Sequence, residues 1–436
     1  MNVHTIKLLL RGKAQVEEHS TSLPAATDHI FLDKSFYIFS KKASEDPRKS
    51  GRCEVSKNKE FDGTLHGSYS FPFTIPFPTS VEWRYPTQAK GSLDSQTKPV
   101  LTYETPPSFR EKRVASAVVY ELVCEVKHGA LRSHSRTMTE IIFTPKKVSP
   151  PASEKRQIAY REDALLPWPL ADPDGWHALP AVMIRGQYQS RPVEAKCILH
   201  LAKPVHALPL VGLISTPKLG FYQLSFTRGT IIPCFFSLSC HNFAFLEALA
   251  TPHTINFHLF REIGHLVQTP LKEKGGKRAN TRTTKRAHIA KAVWWKPPKM
   301  DTPPALTEIF LEGEVHLPKS LLSSCDFPLF MIEYTMELLP FTLASFTPTR
   351  EFLVNGVSDA QGLEGEIYES LVKQVVDITN FHEFGPVPKP FTIPVTGELA
   401  RGITVDDPST TFSAFGSSLT GLNATPYLNA ELPFLT

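Results

Sequence analysis

The sequence lacks the long apolar runs that membrane-spanning helices need. No stretch of its 436 residues approaches the roughly 18 consecutive apolar residues of such a helix. The Leu8–Leu10 run near the start ends at Arg11, which leaves it too short for the apolar core of a signal peptide. The sequence therefore predicts a soluble, cytoplasmic protein that associates with membranes only peripherally and at times.

Sequence motifs of known catalytic and nucleotide-binding sites are also missing. There is no G-x-S-x-G, no H-E-x-x-H and no P-loop, and the 16 histidines do not cluster at metal-ligand spacing. The segment Asp172–Gly175 begins like a calcium loop but lacks the later ligands, and Pro-Asp-Gly is a strong turn sequence. We therefore predict no catalytic residue, no metal site and no cofactor, and interpret the protein as a non-enzyme.

An excess of one charge and closely paired cysteines are absent as well. The 47 basic and 43 acidic residues leave a net charge of +4, which argues against binding to nucleic acid mainly through phosphate contacts. None of the six cysteines forms a C-x-x-C pair. Such scattered thiols are typical of small buried side chains in a reducing compartment rather than of disulfides or a zinc site. No nucleic-acid partner is expected.

Proline and phenylalanine are abundant, at 38 and 29 residues, whereas glycine numbers only 23. Because proline is disfavoured inside helices and central strands, this composition predicts short elements joined by stiff turns. Hydrophobic side chains alternate with a period of two through Val118–Lys127, which is typical of a half-buried strand. Further strands are predicted at Ile6–Leu10, Ile30–Phe39, Ser68–Ile75, Thr137–Phe143, Val182–Tyr188, Thr230–Cys240 and Glu308–His316. Tyr368–Thr379 suits a strand or a helix.

The predicted fold class is all-β, with two antiparallel, immunoglobulin-like β-sandwich domains in tandem. The first domain spans residues 1–148, and a proline-rich, charged linker without alternation spans 149–175. The second domain spans 176–385 and carries a basic insertion at 271–300, which we predict to be disordered. Residues 386–436, rich in Pro, Thr, Ser and Gly, are predicted to form a flexible tail.

Several of these segments resemble strands of arrestin-like proteins. Gly67–Pro76, with its Phe71-Pro72-Phe73 core, and the following Pro78–Val81 resemble the signature strand and turn of an arrestin-like N-terminal domain, and Tyr120–Val126 resembles its next strand. Phe226–Pro233, Leu311–Pro318 and Phe330–Tyr334 resemble strands of the C-terminal domain. The order of the segments is most similar to that in α-arrestin-type proteins of fungi, over roughly residues 1–385.

The sequence departs from the arrestin-like pattern in two places. The two strands that normally precede the segment matching Ile6–Ala14 are missing, so the first sandwich is expected to lack edge strands, as in a shortened gene model. The Pro-Pro-x-Tyr motif that recruits ubiquitin ligases is absent, and Pro106–Phe109 comes closest to it. No motif in the sequence therefore implies binding to a ubiquitin ligase, and such a ligase is only one possible partner.

Positively charged residues are concentrated in the basic insertion, where Glu273 is the single acidic residue. Clustered basic residues in a loop attract anionic lipid headgroups or acidic partners, and they also serve as nuclear import signals or modification sites. A solvated loop without a ligand, or a weak contact with nucleic acid, is the alternative interpretation. The candidate contact residues are Lys272, Lys274, Lys277, Arg278, Arg282, Lys285, Arg286 and Lys291.

The resemblance implies a cytosolic adaptor or scaffold without enzymatic activity. Such a protein would bind the cytoplasmic parts of membrane proteins and link them to endocytosis or ubiquitin-dependent sorting and protein transport. A retromer-type subunit of a sorting coat has the same two-sandwich architecture and is one alternative. A β-rich enzyme with dispersed site residues is the other.

Overall fold

The computed structural model describes most of the chain between residues 3 and 392, together with a short segment near the end. The described residues are 3–18, 25–41, 65, 70–83, 100–112, 114–129, 133–204, 224–269, 279–298, 307–349, 370–392 and 427–430. Within them the protein is mostly β-structure with two helices, which confirms the predicted all-β class.

In the described part of the chain, nine strands lie before residue 150. They are β1 (Val3–Glu18), β2 (Ala25–Ser40), β3 (Phe73–Pro76), β4 (Ser80–Trp83), β5 (Leu101–Glu104), β6 (Phe109–Arg110), β7 (Ser116–His128), β8 (Ser135–Ile141) and β9 (Val148–Ser149).

The remaining elements follow in chain order. They are helix α1 (Glu154–Glu162), β10 (Trp176–Ala178), β11 (Val182–Tyr188), β12 (Arg191–Ala202), β13 (Leu224–Thr227), β14 (Ile231–Cys240), helix α2 (Phe243–Leu249), β15 (Phe257–Thr269), β16 (Ala279–Lys291), β17 (Val293–Trp295), β18 (Glu308–His316), β19 (Cys325–Phe327), β20 (Phe330–Leu338), β21 (Phe346–Pro348), β22 (Val372–Thr379), β23 (Phe381–His382) and β24 (Tyr427–Ala430).

The first large sheet has the order β2-β1-β7-β6, and β8 also pairs with β7. Strand β1 pairs along its length with β2 on one side and β7 on the other, so it is an interior strand and not an edge. The aromatic rings of Phe77, Tyr120 and Phe143 pack on one face of the sheet, with the rings of Phe77 and Phe143 stacked 4.1 Å apart. These aromatic rings contribute to the hydrophobic core that covers this face of the first sheet.

Two further large sheets are built from the second half of the chain. The second sheet has the order β17-β18-β14-β12-β11-β21 with β10 beside β12, and the third has the order β13-β22-β20-β15-β16 with β19 beside β20. Their inner faces meet at Trp294, whose ring centroid lies 6.3 Å from that of Phe257. Gly313 is required next to this ring, because an added Cβ would lie 2.4 Å from a Trp294 ring carbon.

The first and third sheets are joined through a buried phenylalanine. Phe327 has no exposed surface, and its ring lies 5.0 Å from Phe31 and 6.0 Å from both Trp83 and Tyr103. One contiguous hydrophobic core therefore runs through both halves of the chain. The division into tandem domains stays a prediction, and so does the boundary placed at 149–175.

The segment 149–175, which is predicted as a linker, contains regular elements. Helix α1 lies in this segment, and the hydroxyl of Ser153 caps it by accepting from the backbone N–H of Arg156 at 3.4 Å. The turn predicted at Asp172–Gly175 is a single 3-10 turn at Pro173–Gly175. Strand β9 pairs in parallel with β23, and Asn380 bridges the carbonyl oxygen of Pro145 and the N–H of Lys147.

The prediction that the basic insertion is disordered is wrong within the described residues. The basic insertion at 271–300 contains β16 and β17, and β16 pairs with β15 from Ala279 to Lys291. The tail contains β24, which pairs antiparallel with β3. The described part of the ambiguous segment 368–379, from residue 370 onward, contains strand β22 and no helix. The five described cysteines are buried and free, as predicted.

Candidate functional site

The basic candidate residues divide into two groups in the structure. Lys272, Lys274, Lys277 and Arg278 lie outside the described residues, and Arg282 lies in β16 although its side chain is outside the described part. The remaining three, Lys285, Arg286 and Lys291, have described side chains on β16, which is the edge strand of the third sheet. Basic side chains on an edge strand hinder the addition of a strand from another chain. Their charge therefore has a structural role that needs no ligand.

Arg286 is held within the sheet and is not a free cationic side chain. Its Nη2 donates to Oε2 of Glu337 at 2.6 Å, and its guanidinium carbon lies 3.9 Å from the centre of the Phe260 ring. A guanidinium paired with a carboxylate and stacked on a ring has both its charge and its planar face occupied. Arg286 therefore serves mainly in packing within the sheet. The sequence instead predicts that it lies in a disordered loop.

Glu337 of β20 is the centre of this polar cluster. It is 1 % exposed, and Thr335 and Ser370 donate their hydroxyl hydrogens to it in addition to the Arg286 contact. Burial alone would raise the pKa of Glu337, but the hydrogen bonds from Ser370 and Thr335 and the charges of Arg286 and Lys373 hold it below its ordinary value. The carboxylate thus stays charged although it is buried.

Two histidines lie beside Glu337 on the neighbouring strands. Nδ1 of His258 on β15 lies 2.8 Å from Nε2 of His288 on β16. Burial, followed by the charges of His288 and Lys291, lowers the pKa of His258 to about 4, while Glu337 opposes this shift. Burial also lowers the pKa of His288. Both rings are therefore neutral at pH 7, so one ring nitrogen donates to the other.

Lys291 completes the polar row across the third sheet. Its Nζ donates to Oδ1 of Asn256 at 3.0 Å, and burial lowers its pKa. Lys291 is opposite His258 in the β15–β16 register, and His258 is opposite Glu337 in the β15–β20 register. Sequence reasoning missed this row because its members come from three strands, and only the period-two spacing of each strand could have placed them on one face.

A second polar site lies on the second sheet, where a buried carboxylate binds a later segment of the chain. Glu314 of β18 is 1 % exposed and accepts from the backbone N–H of Phe391 at 3.0 Å and of Thr392 at 2.7 Å. The ring of Phe391 stacks on Trp295 at 4.7 Å. We call residues 381–392 the strap, since they run from β23 to these contacts with β17 and β18 at one edge of the second sheet.

The edge of the first sheet is the most open strand surface in the described structure. Strand β8 pairs only with β7 among the described strands, and its residues are exposed except for a half-buried Ile141. Met138 is 57 % and Ile142 is 62 % exposed. An exposed edge carrying apolar side chains can pair with an extended peptide.

Two cavities in the described part of the chain are small or shallow. One, of about 40 Å³, lies between Arg156, Lys203 and His382, and holds the volume of a few water molecules. Another, of about 330 Å³, is an open groove beside Arg185 and Glu194. Among the described residues no three His, Cys, Asp or Glu side chains gather as metal ligands. No helix in the described segments combines the length and hydropathy needed to cross a membrane.

Comparison with known proteins does not place the chain in a family. A scan of family models finds none that matches it, and a search of curated proteins likewise finds no match.

Proposed function

We propose that this chain is a non-enzymatic adaptor of arrestin type. It binds the cytoplasmic parts of membrane proteins and links them to endocytosis or ubiquitin-dependent sorting. The resemblance of the Phe71–Phe73 segment and of the later strands to arrestin-like proteins supports the adaptor role, and the sandwich-type all-β fold is compatible with it.

The observation that carries the proposal is the open edge of β8. Its backbone can add a strand from an extended cytoplasmic tail, with Met138 and Ile142 supplying apolar contacts. The edge of β16 is less suited, because it carries Lys285 and Arg286 and the latter is engaged by Glu337. The first sheet packs against the third through Phe327, so the edge belongs to a sheet that shares the common hydrophobic core.

Proximity labelling in cells with the full chain tests this proposal. We expect labelling of membrane proteins, and we expect Met138→Lys to reduce it by about fivefold or more, because a charge on the edge opposes strand addition. Val375→Lys is the matched control, since Val375 is 45 % exposed but lies on β22 between two other strands. Its labelling should equal that of the unmodified chain.

Two results would contradict the proposal. If the unmodified chain labels no membrane proteins, the adaptor function is wrong. If Met138→Lys and the control label equally, β8 is not the binding edge. Co-purification of fixed partners at stoichiometric yield would instead support the alternative of a retromer-type coat subunit.

A further inference from the structure

The strap is attached at one end by an unusual arrangement around Glu314. The carboxylate accepts three hydrogen bonds from two consecutive residues, namely the two backbone N–H groups and the hydroxyl of Thr392, whose Oγ1 lies 2.5 Å from Oε1. Nε2 of His316 lies 3.1 Å from the same carboxylate oxygen and 2.9 Å from Oγ1 of Thr392. The hydroxyl thus lies between a buried anion and a single imidazole.

The rest of the strap holds the chain extended at the surface. Val387 and Lys389 each precede a proline, which restricts them to extended backbone conformations. Lys389 pairs with Asp163 at 2.5 Å, but both side chains are well exposed, and Phe391 is 64 % exposed. Exposed pairs of this kind add little stability, so this end is attached mainly by the Glu314 contacts and by the stacking of Phe391 on Trp295.

We propose that Thr392 is a phosphorylation site and that its modification releases the strap from Glu314. A phosphate on Oγ1 removes the hydroxyl donor and places a charge of nearly −2 next to a carboxylate that is 1 % exposed. Like charges at this separation in a poorly solvated site repel strongly. The single Nε2–H of His316 faces both Glu314 and Thr392, so His316 supplies one donor for the two anions together.

The transfer requires a protein kinase and a nucleoside triphosphate. The γ-phosphoryl group passes to Oγ1 of Thr392, the hydroxyl proton goes to a base of the kinase, and the nucleoside diphosphate leaves. Because Thr392 is half-buried when the strap is attached, transfer occurs on the transiently detached strap, and the phosphate then prevents reattachment. The proposal is independent of the adaptor function, since it rests only on contacts of the strap.

Phosphoserine encoded at position 392 of the full chain tests the release, with Thr392→Ser as the matched hydroxyl control. Hydrogen exchange of the Phe391 and Thr392 amides, which donate to Glu314, is the measurement. We expect exchange to be faster by about tenfold or more with phosphoserine, while amides of β14 stay unchanged. Equal protection in the two proteins would overturn the release mechanism.

A second variant separates charge repulsion from steric disruption. Glu314→Gln keeps an acceptor oxygen but removes the negative charge, so phosphoserine should accelerate strap exchange much less in this background. An undiminished effect would show that repulsion by Glu314 is not the cause.

Mass spectrometry tests whether the site is used. The full chain isolated from eukaryotic cells treated with a phosphatase inhibitor should contain peptides phosphorylated at Thr392. Only unmodified peptides spanning this residue would overturn its assignment as a phosphorylation site.

Discussion

Arg261 of β15 donates from one guanidinium nitrogen to both carboxylate oxygens of Glu111, at 2.9 Å each. Glu111 follows β6 at the first sheet, whereas Arg261 is 4 % exposed in the third sheet, so the pair joins the two halves of the chain. A buried guanidinium that loses its carboxylate is left with an uncompensated charge.

We therefore expect Glu111→Ala to lower the free energy of unfolding by about 3 kcal/mol. Arg185–Glu194 is the matched control, because both of its side chains are more than half exposed at a separation of 3.4 Å. Glu194→Ala should cost less than about 1 kcal/mol. Denaturant unfolding of both variants measures the difference, and equal costs would show that the Arg261 pair adds no special stability.

Phe327 should be the most sensitive single position where the first and third sheets meet. Phe327→Ala removes a fully buried ring that contacts Phe31, Trp83 and Tyr103, and we expect a loss of about 3 to 5 kcal/mol. Phe384→Ala removes a fully exposed ring and should change the unfolding free energy by less than about 0.5 kcal/mol. Thermal unfolding compares the two, and similar melting temperatures would contradict the packing described for Phe327.

The His258 ring predicts a specific dependence of stability on pH. Its pKa is lowered from 6.5 to about 4 in the folded protein, so the unfolded chain binds more protons between these values. Stability should therefore fall as the pH drops from 6.5 to 4, by about 1 to 2 kcal/mol from this group after allowance for partial exposure. The groups that face the ring are His288, Lys291 and Glu337.

His258→Gln should make this pH dependence shallower. Free energies of unfolding at pH 7.5, 5.5 and 4 give the slope for the variant and for the unmodified protein. Glu337 contributes in the same direction at lower pH, because its lowered pKa means that protonation below about 4.5 removes stability. Parallel slopes for the two proteins would show that His258 is not held neutral.

The basic residues outside the described part are the ones to test for lipid binding. Replacing Lys272, Lys274, Lys277 and Arg278 by Gln should weaken flotation with vesicles rich in anionic lipid by about tenfold or more, since each basic residue near such a surface contributes about 1 kcal/mol. Arg286→Gln should instead lower stability, because it breaks the contacts with Glu337 and Phe260. Unchanged flotation of the fourfold variant would exclude this segment as a lipid contact.

The strands were predictable where alternation is strong. Val182–Tyr188 and Glu308–His316 were predicted with the bounds that the structure has, and β7 extends the predicted Val118–Lys127 only at its ends. Each of these strands places apolar side chains at every second residue, and this period reflects local geometry alone.

Helix α1 was missed because its buried side includes an arginine. Arg156 is 1 % exposed, donates to the carbonyl oxygen of Gly175 at 2.5 Å and lies 4.7 Å from the Trp176 ring. In the sequence this residue counts as polar, so the segment shows no apolar stripe. Strand β16 is not predicted for a similar reason. Its Arg286 counts as polar in the sequence, and the Glu337 carboxylate that pairs with it lies 51 positions away.

The short parallel pairing of β9 with β23 has a mechanical consequence. The N–H of Lys147 donates to the side-chain oxygen of Asn380, which lies 233 positions later in the chain. The backbone enters and leaves the second and third sheets at the same place, so the polypeptide between these points forms a loop closed by hydrogen bonds. A force that separates residue 147 from residue 380 would load these few bonds first, before the strands of the two large sheets bear tension.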